Sequence, residues 1–176
     1  MPTPVPYTDV REIDWSSWQF TDHAVLCFIR VDSRLLLIRK KRGLGAGKIN
    51  APGGRLEPGE TPLQAAIRET REEVGLVPED PLQQGELSFV FRDGYSLYCS
   101  VFFATSYRGR LVETDEAQPF WCAESAIPYP EMWADDALWL PQALQGRYVR
   151  GVFIFDGDRM VSRRISADGR VFDQSH

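Results

Sequence analysis

Histidine is nearly missing from this 176-residue chain, which holds only His23 and His176. A zinc site or a histidine-centred triad therefore has almost nothing to work with, and acid-base chemistry falls to carboxylates. Cysteine is scarce as well. Cys27, Cys99 and Cys122 are odd in number, far apart and set among apolar or aromatic neighbours. That pattern suits reduced, buried thiols rather than a disulfide framework or a metal cluster. No apolar run approaches the roughly 18 residues a membrane helix needs, and "MPTPVPYTDVREIDW" lacks the basic stretch and apolar core of a secretory signal. The default location is the cytoplasm. Positive charge is also in deficit, with 20 Lys and Arg against 25 Asp and Glu and a net charge of -5. This balance argues against a broad nucleic-acid surface but leaves room for a local basic cluster on phosphates. The length fits one globular unit with a real hydrophobic core.

The chain has an N-terminal extension over residues 1–20, a main domain over 21–166 and a polar tail over 167–176 that is expected to fray. Trp15, Trp18 and Phe20 give the extension a means of packing onto the domain. "AVLCFIR" and "SRLLLIR" read as a hairpin around a Val-Asp break, and "ELSFVFRD" and "YSLYCSVFFATSY" as another around Asp93-Gly94. "PFWCA" fits a short strand, and "RYVRGVFIFDGDRMVSRRI" a last hairpin about Asp156-Gly157. "MWADDALWLPQAL" reads as a loop entering a short helix, with Asp135 or Asp136 as N-cap.

The densest chemistry lies in "PGGRLEPGETPLQAAIRETREEVGL", residues 52–76. Thr61 as N-cap, Pro62 at the first helical position, Gln64 completing a capping box and Gly75 at the stop place a helix from Pro62 to Val74. A helical wheel gathers Leu63, Ala66, Ile67, Thr70 and Val74 on the packing face. Glu69, Glu72 and Glu73 stand at i, i+3 and i+4 on the other side, next to the turn Gly53-Gly54. The plain alternative is a solvated charged face with Arg68 paired to Glu72, but that pairing leaves the other carboxylates uncompensated. Oxygen donors without His or Cys are what a hard divalent cation, Mg2+ or Mn2+, binds.

The spacing of Gly54, Glu60, Arg68, Glu69, Glu72, Glu73, Gly75 and Leu76 resembles the Nudix box, with Thr70 at a usually aliphatic site. The resemblance implies an α/β fold, the Nudix α/β/α sandwich with a mixed central sheet, and Mg2+-dependent hydrolysis of a nucleoside diphosphate linked to a further group. It implies Glu69, Glu72 and Glu73 as metal ligands with the Gly53 carbonyl, and Glu60 and Arg68 as organisers of loop and helix. One box glutamate, helped by Glu116, would take the proton of the attacking water; the sequence leaves open which.

Selectivity must be read elsewhere. Arg39, Lys40, Lys41 and Arg42 either form a solvated basic turn or meet a triphosphate. Trp133 offers a stacking surface, while adjacent Asp135 and Asp136, if buried together, would share a proton and both donate and accept. Asn50 carries donor and acceptor too. A core tryptophan, a helix cap and a turn asparagine are the alternatives. "KKRGLGAGKINAPGGRLEPGET", "TDEAQPFW", "IPYPEMWADDALWLPQAL" and "GVFIFDGD" together resemble the MutT-homologue branch that hydrolyses oxidised purine nucleoside triphosphates such as 8-oxo-dGTP and 2-hydroxy-dATP to the monophosphate and pyrophosphate. That likeness implies Asn50, Asp135 and Asp136 as base readers, Trp133 as the stacking residue, Lys40 near the phosphates and Glu116 as an additional metal carboxylate. Leu44 and Ile49 depart from it at sites that usually carry an aromatic residue and a tryptophan. A broader pyrophosphohydrolase of dNTPs, dinucleoside polyphosphates or ADP-ribose, and a non-catalytic nucleotide-binding module, are the competing readings.

Overall fold

A computed structural model describes residues 3–175. In chain order the strands and helices begin with β1 (Asp22–Val31), β2 (Arg34–Lys40), β3 (Ile49–Asn50), β4 (Gly53–Arg55), α1 (Pro62–Val74) and β5 (Leu76–Pro78). They continue with β6 (Leu82–Phe91), β7 (Ser96–Ala104), β8 (Tyr107–Gly109), β9 (Ala117–Ala123) and α2 (Asp136–Leu144). β10 (Val149–Asp156), β11 (Arg159–Ala167) and β12 (Arg170–Ser175) complete the chain. The described residues form two compact units, the first of residues 3–23, 84–100 and 134–175, the second of residues 24–83 and 101–133. No helix among the described residues is long and apolar enough to cross a membrane.

In the second unit, β1 and β2 form the expected hairpin, closed by Asp32 and Ser33 at φ of 52° and 58°. Two successive positive φ angles match the right-handed twist of the flanking strands. β2 lies between β3 and β9, and β1 pairs with β4. The helix α1 has the expected bounds, and both bonds of its capping box are made: Gln64 N donates to Thr61 Oγ1 at 3.2 Å and Thr61 N to Gln64 Oε1 at 3.0 Å. Gly75 ends it in the left-handed region at φ 80°.

The buried face of α1 differs from the wheel. Ala65, Ala66, Thr70, Glu73 and Val74 are buried, whereas Leu63 is 42% exposed. Two apolar clusters set this rotation. Ala65 and Ala66 pack with Val25, Cys27 and Phe102, and Val74 packs with Ile29, Leu36, Ile38 and Ala117. The small side chains let the helix approach its strands closely, and Glu73 is turned inward as a result. Thr70 satisfies its hydroxyl on Ala66 O at 2.7 Å, so it is accommodated in a buried position.

In the first unit, β10 is parallel to β6 and antiparallel to β11, giving the mixed sheet. Residues 170–175, expected to fray, instead form β12 on β11. The ladder supplies the backbone partners that a polar tail would otherwise take from water. His176 lies outside the described residues. The extension packs as expected: Val10, Trp15 and Trp18 cluster with Val90 and Ile154. Val10 N also donates to Ser162 Oγ at 2.9 Å. Helix α2 packs on β10 and β11 through buried Trp139, Leu140 and Ala143. Asp135 occupies the N-cap position but has helical backbone angles, and its carboxylate caps nothing.

Candidate active site

The site is assembled within the second unit. Glu69 and Glu73 project from successive turns of α1, and Glu116 enters from the residue before β9. One carboxylate oxygen from each lies within 4.8 Å of the other two. Glu72 does not join this group, because its position on the helix turns it outward, where it is 53% exposed and bonded to Arg68 Nη1 at 3.1 Å.

Two glycines permit the convergence. Gly53 pairs with Leu26 on β1, and a Cβ there would run into the Val25 carbonyl. At Gly54 an added Cβ would stand 2.5 Å and 2.7 Å from the Glu69 oxygens. The adjacent glycines therefore admit two different things: Gly53 the neighbouring strand, Gly54 the carboxylate itself. The Gly53 amide donates to Glu73, so this residue contributes a donor beside the ligand role expected for its carbonyl.

Arg68 organises the periphery. Its Nε and Nη2 grip the two Glu60 oxygens at 2.6 Å and 2.8 Å, Nη1 reaches Glu69 Oε1 at 2.9 Å, and Nη2 also reaches Arg55 O at 3.1 Å. This bidentate clasp holds Glu60 far on the acidic side, at about 2. The expectation that Glu60 and Arg68 build the loop rather than do chemistry agrees with this geometry.

The other end of α1 is held by the segment leading to Glu116. Val112 N donates to Val74 O at 2.9 Å and Thr114 Oγ1 to Glu73 O at 2.7 Å, so this loop satisfies carbonyls left open at the helix end. Glu116 N leans on Thr114 Oγ1 at 3.3 Å, and Glu116 O accepts from Lys41 N at 3.0 Å. Thr114 is a positioning residue that sequence reading missed. Its only signal is its place in "TDE", two residues before Glu116.

Electrostatics single out Glu73. Burial, then the charges of Glu69 and Glu116, push its carboxyl up to about 8, against the opposing charge of Lys40 and the Gly53 amide. Burial likewise raises Glu69 despite Arg68. Glu73 Oε2 is buried and accepts no hydrogen bond among the described residues. A buried oxygen with no donor, beside two further carboxylates and a nearby lysine, fits a divalent cation, which would satisfy the oxygen and remove the repulsion.

The basic run resolves into separate partnerships. Arg39 binds Gly47 O at 2.9 Å and Glu131 at 2.8 Å, Lys41 binds Glu113 and Thr114 O at 2.7 Å each, and Arg42 binds Glu116 Oε1 at 2.8 Å. Lys40, next to them, lies near enough for its charge to oppose the rise of the Glu73 carboxyl. Asn50 sits half-buried on β3, and its Oδ1 accepts from Ala51 N at 2.8 Å. Trp133 packs against the loop backbone: a Cβ on Gly45 would lie 2.8 Å from its Nε1, and Lys48 Nζ stands 5.2 Å from its ring centroid.

In the first unit, Asp135 and Asp136 are buried at the start of α2. Asp135 Oδ2 accepts from Trp139 Nε1 at 2.9 Å, whereas its Oδ1 is buried without a hydrogen bond among the described residues. Burial raises the Asp135 carboxyl, although the Trp139 bond opposes the shift. Trp139, fully buried, is a second residue missed from sequence; its spacing of four from Asp135 was the available signal. His23 lies on the first unit and bonds Ser100 Oγ at 2.9 Å, and the three cysteines are free and buried.

Comparison with known proteins identifies the family. The chain is 43% identical over 129 residues to an oxidized purine nucleoside triphosphate hydrolase from Danio rerio, covering 73% of this chain and 83% of the relative. It is 37% identical to the protein of the same name from Mus musculus, covering 78% and 89%. A crystal structure of a MutT protein from Bacillus halodurans, 25% identical, superposes with a TM-score of 0.73 over 82% of this chain and 97% of that one. The model of the NUDIX domain matches residues 21–143, most of the chain, and the protein therefore belongs to the NUDIX hydrolase family.

Proposed function

We propose that this hydrolase uses Mg2+, or Mn2+ in its place, to cleave oxidised purine nucleoside triphosphates to the monophosphate and pyrophosphate. The observation that carries the reading is the group of Glu69, Glu73 and Glu116 around the unsatisfied Glu73 Oε2. The names of the relatives from Danio rerio and Mus musculus support the substrate class. Residues 21–166 carry the catalytic domain in this reading, and a cytoplasmic location accompanies it.

Glu69, Glu73 and Glu116 would hold the cation, with Glu72 contributing from the exposed rim and the Gly53 carbonyl as a backbone ligand. The group these residues would hold would supply positive charge to phosphate oxygens and make water a better nucleophile. Lys40 meets phosphate charge beside Glu73. A carboxylate of the group accepts the proton as water attacks phosphorus and the bond to pyrophosphate breaks. Arg68 keeps Glu69 in place from outside the reacting atoms. Within the second unit, Trp133 offers a held indole for stacking on a base and Asn50 a side-chain amide; within the first, Asp135 has a buried oxygen that needs a donor.

The test is a turnover panel of 8-oxo-dGTP, 2-hydroxy-dATP, dGTP, diadenosine tetraphosphate and ADP-ribose, with and without Mg2+. The oxidised purines should give the highest kcat/KM, and Glu116→Gln should abolish their hydrolysis. Equal turnover of dGTP and 8-oxo-dGTP would remove the assignment to oxidised purines. Undiminished activity in Glu116→Gln would remove the metal assignment.

A further inference from the structure

We propose that Arg42 is a positioning residue that couples cation binding to substrate binding by exchanging its partner: it competes with the cation for Glu116 and, once displaced, turns to the nucleotide's phosphates. The inference rests on the carboxylate group acting as the metal centre. Three observations carry it. The backbone of Glu116 is fixed on both sides, through Lys41 N at 3.0 Å and Thr114 Oγ1 at 3.3 Å, so what remains adjustable is its side chain. That side chain is held through Oε1 by Arg42 Nη2 at 2.8 Å. One oxygen of the same Glu116 carboxylate lies within 4.8 Å of oxygen donors from Glu69 and Glu73.

The strengths of the competing contacts favour exchange. Arg42 is 65% exposed and Glu116 37%, and an ion pair in that setting is weak. A divalent cation bound by three carboxylates at once outcompetes it. Arg39 and Lys41 face no such competitor, since their partners are Glu131, Glu113 and backbone carbonyls outside the group. Displaced from Glu116, the Arg42 guanidinium retains a planar fork of donors suited to phosphate oxygens. The linkage is reciprocal: by weakening cation binding to the free protein and strengthening phosphate binding to the loaded protein, one side chain makes each ligand favour the other.

Titration of the full-length protein with Mn2+ alone, followed by electron paramagnetic resonance of the free ion, tests the first half. Arg42→Ala should bind Mn2+ about two- to fivefold more tightly than wild type, the range an exposed pair commands. The gain should vanish in the Glu116→Gln background, which separates competition at that oxygen from a general change in surface charge. Pyrophosphate binding to the Mn2+-loaded protein tests the second half: it should weaken in Arg42→Ala and recover in part in Arg42→Lys, which restores the charge without the fork. Unchanged or weaker Mn2+ binding in Arg42→Ala, a gain that persists undiminished in Glu116→Gln, or unaltered pyrophosphate affinity would each overturn the proposal. A wild-type protein that binds no Mn2+ would instead bring down the metal centre itself, and this inference with it.

Discussion

Replacing Glu73 by Gln tests the electrostatic account of the site without reference to turnover. The carboxyl is held at about 8 against an ordinary value of 4.5, with burial as the largest cause. Its side chain belongs to a residue only 5% exposed, so solvent does little to relieve the effect. Because the folded value lies above the unfolded one, the folded protein holds this proton more firmly. The associated stability is complete below pH 4.5 and is lost as pH rises through about 8. At about 1.4 kcal/mol per pH unit, that gap amounts to on the order of 5 kcal/mol. The amide that Glu73→Gln introduces can still accept from the Gly53 N–H but has no proton to lose. Urea unfolding in EDTA, followed by tryptophan fluorescence from pH 4.5 to 9, should show the wild type losing stability across the window. Glu73→Gln should lose much less, keeping the contributions of Glu69 and Asp135, whose carboxyls burial also raises. Excess Mg2+ at high pH should restore the wild type and leave the variant unmoved. Parallel stability profiles for the two proteins in EDTA would refute the reasoning.

Gly54→Ala and Gly53→Ala should fail in different ways. At Gly54 the new methyl meets the end of the flexible Glu69 side chain, so the carboxylate moves aside; Mn2+ affinity should drop about 10- to 100-fold with the melting temperature little changed. At Gly53 the methyl meets the Val25 carbonyl of a paired strand, so the loss should appear in folded yield and thermal stability. Asp135→Asn keeps an acceptor for Trp139 but removes an ionisable group raised by burial. The kcat/KM ratio of 8-oxo-dGTP to dGTP should fall about tenfold or more, and its pH dependence below neutrality should flatten. A ratio equal to that of wild type would withdraw Asp135 from base reading.

Legibility from sequence follows the range of the forces involved. The bounds of α1 are readable because Thr61, Pro62, Gln64 and Gly75 act on their own neighbours in the chain, and the structure realises both capping bonds. The turns at Asp93-Gly94 and Asp156-Gly157 are readable for the same reason. The rotation of α1 is not, since it depends on Val25, Cys27 and Phe102 receiving small alanines from elsewhere in the chain. A wheel that weighs side chains by polarity alone counts Leu63 as core and Glu73 as surface. Spacing groups Glu72 with Glu69 and Glu73, yet Arg68 and the helix orientation hold it outward. Thr114 and Trp139 are hard to read because their importance lies in hydrogen bonds to residues already recognised, Thr114 to Glu73 and Glu116 and Trp139 to Asp135. The fate of residues 170–175 depends on pairing with β11, which polarity does not report.

The residues of the glycine and glutamate motif thus divide between two opposed tasks. Glu69 and Glu73 bring charge together at a point where burial magnifies its cost. Thr61, Gln64, Gly75 and the Arg68–Glu60 clasp oppose that cost by fixing the helix that carries them. A capping interaction contributes only about 1 kcal/mol, well below the energy of on the order of 5 kcal/mol associated with ionising Glu73. Local anchors alone therefore cannot keep α1 in register when all its carboxylates ionise. The apolar contacts of Ala65, Ala66 and Val74 must supply the difference, and these same contacts turn Glu73 inward. The packing that makes the cluster costly is also what allows it to persist, so its affinity for a divalent cation is built into the way this helix joins its sheet.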